Sequence, residues 1–125
     1  MSDWFIAVHL GAGRYNEKNF EKYKKLMKKS CRNACLLLKE KKNSTEAVTI
    51  AITILENDEC TNAGIGSCLN IEGKVECDAS IMSGKNKTFS AVGASIGVKN
   101  PIQLANLLLK ESETGYLSFG RIKPM

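Results

Sequence analysis

The sequence predicts a domain of the α+β class, and three stretches carry that prediction. Trp4-Phe5-Ile6-Ala7-Val8-His9-Leu10 is a near-continuous apolar run, the pattern of a strand buried on both faces. Between Asn16 and Lys42, Phe20, Tyr23, Met27, Cys31, Ala34, Cys35 and Leu38 recur three and four residues apart, the stripe of one long helix. From Thr61 to Lys85, two apolar runs flank Glu72-Gly73, a hairpin signature with glycine in the turn. The whole chain, residues 1–125, reads as one domain, long enough to bury a core of its own.

The elements follow in order. The first strand runs into Gly11-Ala12-Gly13, a turn with no large side chain to hold another group away. A Gly-x-Gly after a strand is weak support for a dinucleotide fold, and the third glycine of that fingerprint is missing. On the long helix, Lys22, Lys25, Lys28, Lys29, Arg32 and Lys39 fall mostly on the polar face. Without interleaved aromatics or a nucleic-acid motif, they read as a solvated face and not as a phosphate-binding surface. Asn43-Ser44-Thr45 offers capping oxygens for a second helix, whose apolar face is Ala47, Val48, Ala51, Ile52 and Leu55. That helix ends near Asn57-Asp58. Its β-branched content alone would permit a strand.

Thr61–Lys85 is the stretch around which the chain is organised. It opens on Asn62-Ala63-Gly64-Ile65-Gly66, passes through the hairpin with Val75-Glu76-Cys77 as second run, and ends in the small-residue segment Asp78–Gly84. Phe89 to Val98 reads as a buried strand in which Gly93 and Gly97 allow another layer to pack closely. Asn100-Pro101 starts a third helix, with Ile102, Leu104, Ala105, Leu108 and Leu109 as its stripe. Gly115 to Ile122 is expected to form a last short strand.

Composition narrows the function classes. An apolar content of 43% and a charged content of 25% are ordinary for a globular protein. No apolar run approaches the ~20 residues needed to span a bilayer, and no charged-then-apolar leader opens the sequence, so no membrane partner is expected. Five cysteines without a C-x-x-C pair, beside a single histidine, argue against a zinc site or disulfide framework. Reduced thiols in the cytoplasm or nucleus are the expectation. Cys31 and Cys35, four residues apart, read as small hydrophobes.

The order of motifs goes further than periodicity. His9-Leu10-Gly11-Ala12-Gly13, Asn62-Ala63-Gly64, Gly66-Ser67, Leu69-Asn70, Asp78-Ala79-Ser80-Ile81-Met82 with a following glycine, and Asn100-Pro101-Ile102-x-Leu104-Ala105 resemble the α-segment of the asparaginase-type N-terminal nucleophile hydrolases. Within that family the Glu76–Met82 string and Gly120-Arg121-Ile122 most resemble threonine aspartase (taspase). Leu10 departs from the small residue usual at its place. The resemblance covers about Ile6 to Ile122.

It implies a partial αββα sandwich, the front part of the α-segment, and so a single incomplete domain. It also implies hydrolysis of a peptide or amide bond at aspartate or asparagine, by a threonine freed through self-cleavage. The free α-amine of such a threonine accepts the proton of its own hydroxyl, so no histidine is needed. That threonine belongs to a β-segment, in a Thr-Val-Gly context after Asp or Gly. Thr45, Thr49, Thr53, Thr61, Thr88 and Thr114 all lack the context, and the family's downstream substrate-binding arginine has no identifiable counterpart. No catalytic residue is therefore assigned. Ser2, which would begin the chain if Met1 were removed, precedes the first strand and reads as a chain end. Gly11, Gly13 and Asn62 match positions beside the active site. Relatives hold a structural sodium through backbone carbonyls, and the matching positions here are Leu55, Glu56, Asp58, Thr61, Ala63 and Ile65, with Glu59 where a proline is common. No other cofactor is implied. The expected partners are a β-segment carrying the threonine, or further copies of the chain. Two other readings stand beside this one: a catalytically silent binding or regulatory module pairing with full-length relatives, and an unrelated basic protein that binds nucleic acid.

Overall fold

A computed structural model describes residues 3–111 and, as backbone, 114–118. Met1, Ser2 and the Gly120-Arg121-Ile122 string lie outside the described residues, as does the end of the last expected strand. The class is α+β. Helices α1 (Phe20–Lys39), α2 (Ser44–Glu56) and α3 (Pro101–Glu111) accompany strands β1 (Cys77–Ser83), β2 (Thr88–Ser95) and β3 (Thr114–Ser118). The sheet order is β1-β2-β3, with β1 antiparallel and β3 parallel to β2. A parallel neighbour needs a crossover, and α3 supplies it.

Helix ends follow from local chemistry. Asn43 caps α2 by accepting the Glu46 N–H at 2.8 Å, with Glu46 at the third helical position. α1 closes with paired bonds from Lys42 N–H to Leu37 O and from Lys41 N–H to Leu38 O. That closure places Lys41 in the left-handed region at φ 60, where glycine is usual.

Two packed clusters form the interior. α3 covers one face of β1 and β2 through Ile81, Val92, Ile102 and Ala105, joined by Leu104, Leu108 and Leu109. α1 and α2 meet through Ala34, Ala47 and Ala51. Small side chains let these two helices approach closely, and Ser30, fully buried, donates its hydroxyl to Ala51 O at 2.8 Å. The apolar stripe read from the sequence lies at the margin of this face. Phe20 is 45% exposed, and the buried line is Leu26, Ser30 and Ala34. A serine spending its one donor inside the helix interface breaks the hydrophobic pattern without breaking the packing.

Three expectations need correction. Trp4–Leu10 has no ladder partner among the described residues and is not a strand buried on both faces. It is extended, with Ile6 and Val8 resting on the α1–α2 cluster and Phe5 89% exposed. The hairpin at Glu72-Gly73 is only a turn closed by a single bridge between Leu69 and Val75. Asn70 shapes that turn, its side chain accepting the N–H groups of Glu72 and Lys74, each at 2.9 Å. The long hairpin comes afterwards, β1 to β2, so Asp78–Ser83 belongs to a ladder. Finally, Gly97 admits no close layer: nothing lies within 4 Å of the position its Cβ would take, and its φ of +76 marks a turn instead.

One face of the sheet is covered and the other is open. Ile81, Ser83, Ser90 and Val92 point to α3 and are buried. On the opposite face the paired residues Met82 and Phe89 are 69% and 43% exposed.

Candidate functional site

The segment leaving α2 is where the sequence motifs converge in space. Glu56 ends that helix, yet its carboxylate serves α3. Oε1 accepts the Ile102 N–H at 3.0 Å and Oε2 accepts Asn100 Nδ2 at 3.0 Å. An acid at the C-terminus of its own helix is badly placed against the dipole, and at the N-terminus of a neighbour it is well placed. Glu56 is 3% exposed, and burial pushes its carboxyl above the usual range, with the Ile102 and Asn100 donors acting the other way.

The two glycines that follow are required by contact. Gly64 sits at φ +57, and a Cβ there would lie 2.3 Å from Glu56 O. A Cβ on Gly66 would lie 2.1 Å from Thr61 O and 2.7 Å from Glu59 O. The Asn62–Gly66 motif therefore folds back against the carbonyls of 56–61. Thr61 locks the same loop, its buried hydroxyl donating to Leu55 O at 2.6 Å and reaching Asp58 O at 3.1 Å. Asp58 accepts the Cys60 N–H at 3.0 Å. Hydrogen bonds from Cys60 hold the Asp58 carboxyl low, while burial and this carboxylate raise the Cys60 thiol.

Asn62 is exposed and its Oδ1 accepts the Cys68 N–H at 2.9 Å. It lines a cavity of about 350 Å³ with Glu56, Gly64, Ser67, Cys77 and Asp78. Ser67 Oγ and Cys77 Sγ stand 3.2 Å apart across it. Asp78 holds a bulge in the ladder: its Oδ1 accepts the Ala94 N–H at 2.7 Å, and Ala94 adopts φ 50.

The glycine turn lines a second cavity. Gly11 and Gly13 line a cavity of about 500 Å³ with Leu10, Tyr15, Phe20 and Tyr23. Tyr15 pins the turn by donating to Leu10 O, and His9 accepts the Gly11 N–H through Nδ1. Gly11, at φ +99, needs its glycine, while the Gly13 position faces open space. The structure thus gathers the proposed ion-loop residues 55–65 and Asn62 into one neighbourhood, and puts Gly11 and Gly13 around a different cavity. The side chain of Glu56 and the clamp by Asp78 were not read from the sequence. For Glu56 the signal was available, an acid at the wrong end of its helix.

Comparison with known proteins fits this picture. A family model described as asparaginase matches residues 2–121. The probable isoaspartyl peptidase/L-asparaginase 2 of Arabidopsis thaliana is 37% identical over 95% of this chain and 38% of its own length. The isoaspartyl peptidase/L-asparaginase of Homo sapiens is 37% identical over 90% of this chain and 37% of its own. The plant-type L-asparaginase of Pyrococcus abyssi is 40% identical over 94% of this chain and 40% of its own. The chain spans about two-fifths of the length of these curated relatives. With the match running from the extended N-terminal segment through β3, the chain belongs to the asparaginase family of N-terminal nucleophile hydrolases.

Proposed function

We propose that these 125 residues form the front part of the α-segment of a hydrolase cleaving an amide or peptide bond at an aspartate-type side chain, and that a further segment supplies the nucleophilic threonine. The observation that carries this reading is the pair of unfinished apolar faces. Trp4–Leu10 rests on α1 and α2 by one side and exposes Phe5, without a strand beside it among the described residues. The sheet likewise leaves Met82 and Phe89 open on the face away from α3. Extended backbone without a ladder partner leaves donors and acceptors for another strand. A second segment that completed the sheet and layered another upon it would give the αββα sandwich and bring the threonine to the ends of these strands. The Glu76-Cys77-Asp78 string supports the threonine aspartase branch, and the relatives' names support asparagine and isoaspartyl substrates.

The loop 55–65 supports a structural sodium ion. Gly64 and Gly66 let the loop close directly onto the carbonyls of Glu56 and Thr61, which gathers backbone oxygens at one place. A hard cation takes such oxygens, and the carbonyls of Leu55 and Asp58, which each accept two bonds from this loop, would exchange one of them for the ion. The carbonyls of Leu55, Glu56, Asp58, Thr61, Ala63 and Ile65 would hold it, and its contribution would be to fix the loop carrying Asn62.

The test is complementation. The purified chain alone should release no ammonia from asparagine, no product from an isoaspartyl dipeptide and no fragment from an Asp-Gly peptide. Adding a β-segment that begins with threonine should restore one of these, and which one separates the two branches. Turnover by the chain alone, abolished by Ser2→Ala, would overturn the proposal.

A further inference from the structure

Helix α1 packs chiefly on α2, while α3 and, through Ile52, the later half of α2 lie nearer the strands. Its outer surface is exposed among the described residues. That surface carries Lys22, Lys24, Lys25, Lys28, Lys29 and Arg32, all exposed, against the single acid Glu21 within the helix. Solvation explains why these side chains point outward but not why they share one sign. Lys24 and Lys28, Lys25 and Lys29, and Lys28 and Arg32 stand four residues apart, where like charges repel. Lys22, Lys24 and Lys25 also sit in the first half of the helix, against the direction its dipole favours. Relief is slight: Glu21 pairs with Lys24 at 2.8 Å, and Asp58 lies 3.9 Å from Lys22. Among the described residues no carboxylate pairs with Lys25, Lys28, Lys29 or Arg32.

A helix charged against its own stability points to a partner. We propose that the outer face of α1 docks an acidic protein segment bearing an apolar side chain. Lys22, Lys25 and Lys29 surround a cleft of about 350 Å³ whose floor is Leu26 and whose rim carries Asp58. The three ammonium groups recognise carboxylates, and the floor accepts an apolar side chain between them. A nucleic-acid backbone fits less well, because Asp58 repels phosphate and no aromatic ring stands among these cations to stack on a base. A membrane surface fits less well too, because Leu26, the apolar residue among these cations, is 6% exposed in a cleft and presents no apolar stripe to a flat surface.

The probe is a short fluorescent peptide of Asp and Glu with one central Leu, titrated with the full chain at low salt. Binding is expected, weakening as ionic strength rises. K25E/K29E should weaken it by at least about tenfold, and K39E/K42E, which changes the charge equally away from the cleft, by less than about threefold. Replacing the peptide's Leu by Ser should also weaken binding. Because K25E/K29E places Glu beside Lys28 and Arg32, its helix should be no less stable by circular dichroism, so lost binding is not lost folding. No binding at low salt would overturn the proposal. So would equal loss in both variants, indifference to the Leu, or preference for duplex DNA over the peptide.

Discussion

Replacing Glu56 by alanine removes the acceptor of a buried backbone N–H and of a side-chain amide at once. Ile102 is 1% exposed, so its N–H has no water to turn to when Oε1 is gone. Leaving such a donor unpaired costs roughly 1–3 kcal/mol, and the Asn100 bond adds to it, while release of a buried carboxylate from desolvation offsets part. A net loss of about 2 kcal/mol follows for Glu56→Ala, or about 8 °C in Tm at about 4 °C per kcal/mol. Glu56→Gln keeps an acceptor for Ile102 but sets an amide donor against Asn100, and should lose about half as much. The pH dependence has a definite sign. A carboxyl raised in the folded state binds its proton more tightly there than in the unfolded chain, so its contribution is fully present below the ordinary value. It is lost as pH rises through the raised folded value. The stability gap between the parent and Glu56→Gln should therefore narrow from about pH 4.3 upward. Urea denaturation followed by circular dichroism across that range measures both effects. An alanine variant within about 0.5 kcal/mol of the parent, or a gap that widens with pH, would refute the clamp.

Further outcomes follow from single contacts. Gly64→Ala and Gly66→Ala each force a Cβ onto backbone carbonyls, and a loss above about 2 kcal/mol is expected by thermal melt. Lys41→Gly relieves the left-handed residue after α1 and should raise stability by about 1 kcal/mol in urea. Ala94→Gly should do the same at the β-bulge and should lessen the damage of Asp78→Ala, which a double-mutant cycle reads directly. Exchanging sodium chloride for choline chloride should lower the Tm if the 55–65 loop holds the ion, and leave it unchanged if it does not.

The helices were legible because their signals are local. Asn43 and Asn100-Pro101 mark starts by capping chemistry and fixed φ, and both α2 and α3 begin there. Asn100 illustrates the limit, since its side chain turns away from its own helix to Glu56 and Asn57. The β-structure was less legible because pairing is not local. Asp78–Ser83 alternates exposed and buried residues, but its small side chains carry little hydrophobic contrast, and only the partner β2 makes it a strand. The reverse holds for Trp4–Leu10, an apolar run without a ladder partner among the described residues. Of the candidate site, the glycines were readable as glycines. What presses on Gly64 and Gly66 came only from the folded loop.

The segment Trp4–Leu10 also bears on how copies of the chain meet one another. It meets the description of a cross-β hazard: about seven residues, strongly β-forming, without proline or a formal charge. Until a strand lies beside it, its edge is a template for any other copy in the same condition. The counterweight is electrostatic. A net charge of +5, with six exposed basic residues on α1 between Lys22 and Arg32, keeps neighbouring chains apart. Added salt shortens the reach of this repulsion, so solubility should fall with ionic strength in parallel with the gain of thioflavin fluorescence. The fold thus sets a sticky edge beside a charged helix, with Lys24 lining the same cavity as His9 and Leu10, and the charge of the second restrains pairing through the first.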